Sequence, residues 1–132
     1  MKILVVEPGQ IPYETEILQS LGAMQALVGG TIQAVYPFPE SVALVCNDEG
    51  KMLGLPLNRT LCDWETGEPY DIVAGTFFLC GAPPDSDNFV SLSPEEIRIL
   101  QERFCQPEEF VLLKENDTDT DHGMEVLVWT DL

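Results

Sequence analysis

Apolar and polar positions along the chain fall into short runs whose spacing changes several times. Ile3, Leu4, Val5 and Val6 form an unbroken apolar run within Met1–Glu7, the pattern of a strand buried on both faces, and Pro8-Gly9 ends it. Alternation at Ile11, Tyr13, Thr15 and Ile17 predicts a second strand over Ile11–Leu18. The spacing then turns helical. Leu21, Met24, Leu27 and Val28 share one face, Ser20 offers an N-cap and Gly29-Gly30 a stop. β-Branched and aromatic residues predict a third strand over Thr31–Tyr36, closed by Pro37 and Pro39, and the apolar run Val42–Cys46 predicts a central strand. Asn47-Asp48-Glu49-Gly50 has the composition of a turn. Lys51–Leu57, broken by Gly54 and Pro56, reads as an irregular return, and Asp63–Glu68 as an acidic surface loop. Tyr70–Cys80 reads as one strand, with Gly75 marking a bulge or a close backbone approach.

After a Pro/Asp/Ser linker over Gly81–Asn88, Ser93-Pro94-Glu95-Glu96 starts a helix with Ser at the N-cap, Pro at the first helical position and Glu reaching back as a capping box. Ile97, Leu100 and Phe104 give that helix one apolar face. Beyond Pro107, the runs Phe110–Leu113 and Met124–Trp129 flank the polar stretch Glu115–Gly123 and predict a terminal hairpin. The expected class is α+β: a single compact domain with a mostly antiparallel mixed sheet, one short and one longer helix, and a C-terminal β-hairpin. Residues 1–106 form the expected core, and residues 107–132 an acidic hairpin extension packed on the same domain.

Composition narrows the partners. A chain of 132 residues with 45% hydrophobic side chains can bury a core without disulfides. No apolar run approaches the roughly 20 residues of a membrane span, and Met1–Glu7 reads as a first strand instead of a signal-peptide core, so a cytoplasmic location is expected. Twenty-three acids against six bases give a formal net charge of −17, which repels nucleic-acid phosphates and anionic membranes. Direct nucleic-acid binding and membrane binding are therefore not expected. The same charge fits either a solvated acidic surface or carboxylates that imitate DNA. Cysteines stand at 46, 62, 80 and 105 without a close pair, beside one histidine, His122. No metal site or cofactor is expected from that spacing, and Cys46 and Cys80, which end apolar runs, read as core residues. With His122 in a polar turn, a nucleophilic triad has no base, and a non-enzymatic role is expected.

Two groups of residues are candidate sites. Lys51 and Arg59 can neutralise an anion while Asn47, Asn58 and Thr60 supply donors. A nucleotide-like small molecule is the expected ligand of that group, although turn chemistry alone also accounts for these residue types. Trp64, in its acidic loop, and Asp117, Asp119 and Asp121 in the tail are candidate partner-binding residues for a host protein. Asp117–Gly123 resembles a calcium loop. However, its glycine falls one place late and Val128 stands where a glutamate ligand belongs, so an exposed acidic turn fits better. Tyr36 and Phe38, set among prolines, serve either as interface anchors or as cover for the core edge. The strand-rich layout also leaves sheet edges through which two copies can pair as a homodimer.

The blocks Val28-Gly29-Gly30-Thr31-Ile32-Gln33-Ala34-Val35-Tyr36-Pro37-Phe38, Cys46-Asn47-Asp48-Glu49-Gly50-Lys51, Gly54-Leu55-Pro56-Leu57-Asn58-Arg59 and Asp71–Gly81 together resemble the domain of unknown function 3846 family of small phage and mobile-element proteins. The resemblance runs from Lys2 to Phe104, and the acidic tail after Gln106 departs from it. It implies an accessory role that counteracts host defence by binding a small anionic ligand or a defence protein. The alternatives are an acidic DNA-mimic inhibitor of a nucleic-acid-binding host enzyme, or a structural or interaction module. The accessory role is an analogy from family context, whereas the anionic ligand is read from Lys51, Arg59 and their neighbours and the DNA mimic from the charge.

Overall fold

The computed structural model describes residues 1–114 and 124–129, with side chains through Val111. Its elements run β1 (Lys2–Val6), β2 (Tyr13–Glu16), α1 (Leu21–Val28), β3 (Ile32–Val35), β4 (Val42–Asn47), β5 (Leu57–Cys62), β6 (Pro69–Ala74), β7 (Phe77–Gly81), α2 (Pro94–Phe104), β8 (Glu109–Lys114) and β9 (Met124–Trp129). This is an α+β fold. The central sheet has the order β2-β1-β7-β4-β3, and every neighbouring pair in it is antiparallel. The pairs β5–β6 and β8–β9 form separate two-stranded ladders.

The apolar runs of β1, β4 and β7 hold the middle of the sheet because successive side chains point to opposite faces and both faces are covered. One face carries Ile3, Val5, Ala43, Val45, Phe78 and Cys80 against Met24 and Val28 of α1. The other carries Leu4, Val6, Leu44, Phe77 and Leu79 against Ile97, Leu100 and Phe104 of α2 and Leu61 and Val73 of the β5–β6 hairpin. Phe104 packs edge-on against both Phe77 and Phe38, with ring centroids 5.6 and 5.9 Å away. Both predicted N-caps form. Ser20 accepts from the Ala23 amide, and the reciprocal Ser93–Glu96 capping box is complete.

Three expectations are corrected. The second strand is shorter than the alternation predicted, covering only Tyr13–Glu16. Tyr70–Cys80 is not one strand; it is β6 and β7, which lie in different sheets. Gly75, at φ 86°, turns the chain between them, and a side chain there would meet Leu55. Finally, Leu57–Cys62, expected to begin in an irregular return, is strand β5. Asp117, Asp119, Asp121 and the calcium-like stretch lie outside the described residues.

Candidate functional site

The β5–β6 hairpin positions most of the sequence-predicted ligand residues, and it turns two of them inward. Along β5, the register against β6 shifts between Leu57 and Arg59; beyond that shift Arg59 and Leu61 are both buried, and Arg59 is 1% exposed. Its five guanidinium N–H groups are all used. Nε and Nη2 donate to the Phe104 carbonyl at 3.4 and 3.1 Å. Nη1 donates to the carbonyl and the side-chain Oδ1 of Asn58, and Nη2 also reaches the Gln10 carbonyl at 2.7 Å. Phe104 ends α2, so the buried cation caps the negative end of that helix. Burial pushes the guanidinium pKa down while the Glu108 carboxylate acts the other way; an arginine nevertheless stays charged at physiological pH.

Asn58 is equally enclosed. Its Nδ2 donates to the carbonyls of Val6 and Gly75, both at 2.9 Å, tying the hairpin to the end of β1 and to the turn before β7. Arg59 and Asn58, expected to face an anionic ligand, are both buried and donate instead to internal acceptors. Asn47, also buried, donates from Nδ2 to the Val28 carbonyl and accepts the Glu49 amide at Oδ1, which shapes the predicted turn. Lys51 is exposed and paired with Asp71. It borders a cavity of about 370 Å³ whose other charged walls, Asp48, Glu49 and Asp71, are acidic. The five residues are not brought together around one pocket.

Thr60 belongs to a different place. Its N–H lies 3.1 Å from each carboxylate oxygen of Glu108, and its Oγ1 lies 2.6 Å from Oε1. Both residues line a groove of about 570 Å³ between the β5–β6 hairpin and the connection from β3 to β4. Phe38, Pro37 and Pro39 form one wall, Trp64 and Pro69 the other, and Arg103, Phe104 and Glu108 close the end. The size suits a small molecule or a few residues of peptide.

The chemistry of this groove was only partly legible beforehand. Trp64 is 60% exposed in the turn Asp63–Glu68, which Asp63 holds by accepting the amides of Glu65 and Thr66. Opposite it, Arg103 stacks over the Phe38 ring, 5.2 Å from its centroid, and donates to both carboxylate oxygens of Glu40 at 3.0 and 3.2 Å. That fork holds the Glu40 carboxyl below its usual pKa range. Cys62 also lines the groove, and burial and then Glu108 push its thiol pKa up. Sequence reasoning offers Phe38 as an interface anchor or core cover but misses Arg103 and Glu108, because the groove joins distant segments. Among the described residues, no helix is long and apolar enough to cross a membrane.

A family model described as Domain of unknown function (DUF3846) matches residues 1–105, and the chain belongs to that family. No curated protein and no solved structure matches it.

Proposed function

We propose that this member of the family is a non-enzymatic accessory protein of a phage or mobile element, acting in the host cytoplasm, and that it counteracts host defence by gripping a basic protein partner. The single observation that carries this reading is the acid-rimmed aromatic groove. It offers a 60% exposed Trp64 and walls of Phe38 and proline, the residue types that anchor protein interfaces. Asp63 and Glu108 line it, while its only lining cation among the described residues, Arg103, is committed to Glu40. A guanidinium or ammonium group brought by a partner gains both carboxylate and aromatic contacts there.

The anionic-ligand alternative has weaker support, because Arg59 and Asn58 have no donor to offer and Lys51 is paired. DNA mimicry retains support from the net charge of −17, and the two readings make different demands on Trp64. Immobilised protein is used to capture host proteins, with Trp64→Ala and, in parallel, a Glu65→Lys, Glu68→Lys double variant of the acidic turn that carries Trp64 beside the groove. A defence protein retained by the native chain and lost by both variants supports the groove. Retention that ignores Trp64 but weakens steeply with salt supports mimicry. Equal retention by all three overturns the groove reading.

A further inference from the structure

The Thr60 amide lies on the edge of a two-stranded ladder. Among the described residues β5 pairs only with β6, and in that register Thr60 stands opposite Ile72. Its N–H is not used by β6, because it points to the Glu108 carboxylate. In an antiparallel ladder, residues whose N–H groups face away from one neighbour are the ones a further strand would pair with. A carboxylate seated on such an amide is a known way for a protein to blunt an edge that could otherwise accept a strand. Here the seat lies inside the groove, beside Trp64 and Phe38.

Resting on the groove reading above, we propose that an extended, arginine-bearing protein segment adds to the outer edge of β5, and that Glu108 is the latch it displaces. A main-chain carbonyl of the segment takes the Thr60 N–H. An arginine of the segment takes the freed Glu108 carboxylate, so the group that closes the edge becomes the counter-ion of the occupant. Charge selects this occupant over a second copy of the chain, since two molecules of net charge −17 repel each other along acidic rims. Arg103 shows the recognition chemistry in place, with a guanidinium held between an aromatic face and a forked carboxylate. Trp64 and Glu108 offer the same two partners to a guanidinium from outside.

The test uses the full native chain and an end-blocked hexapeptide alternating arginine and valine, followed by Trp64 fluorescence. Two further peptides carry N-methyl groups, one on every arginine and the other on every valine. Only one of the two sets of amides faces β5 in an added strand, so one methylated peptide should bind about tenfold more weakly than the other. In the Glu108→Ala variant the Thr60 amide is already free, and the unmethylated peptide should bind about tenfold more tightly, since three part-buried contacts to Glu108 no longer have to be broken. Equal binding of the two methylated peptides overturns strand addition and leaves the groove reading standing. Unchanged or weaker binding to Glu108→Ala, with the methylation asymmetry intact, overturns the latch. No binding of any peptide overturns the strand proposal, and the groove reading is then judged by the Trp64-dependent capture experiment.

Discussion

Replacing Arg59 with methionine tests whether this cation serves the fold or a ligand. Methionine keeps an unbranched apolar stem and removes the guanidinium. Four acceptor atoms then lose donors: the Phe104 carbonyl, the Asn58 carbonyl, Asn58 Oδ1 and the Gln10 carbonyl. The Gln10 bond is only partly buried, so water can replace it there. The other three acceptors sit in buried contacts, and a buried acceptor left unsatisfied costs about 1–3 kcal/mol. The variant no longer has to desolvate a charge, which offsets part of that loss, and breaking a buried charged network of this kind nets about 3–5 kcal/mol. Against a typical domain stability of about 5–15 kcal/mol, that is a large fraction. Urea titration followed by circular dichroism should show a clear drop in midpoint, and calorimetry a melting point lower by about 10–15 °C. Arg59→Lys keeps the charge but cannot fork, and should lose about half as much. Lys51→Met, at an exposed pair with side chains 59% and 47% accessible, is the control and should change stability by about 0–1 kcal/mol. A methionine variant within about 1 kcal/mol of the native chain would refute the buried-hub account.

Gly50, Glu40 and the cysteines each carry a further testable consequence. Gly50→Ala places a Cβ 2.5 Å from the Ala74 carbonyl oxygen, so the turn or β6 must shift, and denaturant titration should show a loss of about 2 kcal/mol. Glu40 has a folded pKa below its unfolded value because Arg103 hydrogen-bonds its carboxylate. That stabilisation is present above the unfolded pKa and fades as pH falls through the folded one. Glu40→Gln should therefore destabilise by about 1 kcal/mol at pH 7, and the gap to the native chain should close below about pH 4 in stability curves taken against pH. Cys80 is buried, with its thiol pushed up to about 12 by desolvation, and Cys46 is buried as well. Iodoacetamide followed by peptide mass mapping should label Cys62 and Cys105 in the native protein and the other two only after unfolding.

The periodic signals in this chain were the trustworthy ones. Unbroken apolar runs at Ile3–Val6 and Val42–Cys46 became central strands with both faces covered, and Ser93 with Glu96 became a complete capping box. Local hydrogen bonding and side-chain alternation cause these features, and both can be read within a few residues. Gly75 signals a bulge or close backbone approach in the sequence, but the turn that sends β6 and β7 into different sheets depends on their separate partners. Arg59 was legible in part. Its basic character suggests a ligand, and only the strand Leu57–Cys62, which the sequence pattern does not predict, turns it inward.

What the sequence determined alone is therefore the class of fold, the helix starts, the buried thiols at Cys46 and Cys80, and an acidic charge that disfavours nucleic acid and anionic membranes. Tertiary structure decided which polar groups are spent and which are presented. Arg59 becomes internal because Phe104, 45 residues away in sequence, brings it a helix-end carbonyl. Glu108 becomes an edge cap because the chain beyond α2 returns to Thr60, 48 residues earlier. The groove joins Phe38, Trp64, Arg103 and Glu108 from separate segments. A side chain's type sets what bonds it can form, but burial and long-range partners decide whether those bonds are used inside the molecule or left for another.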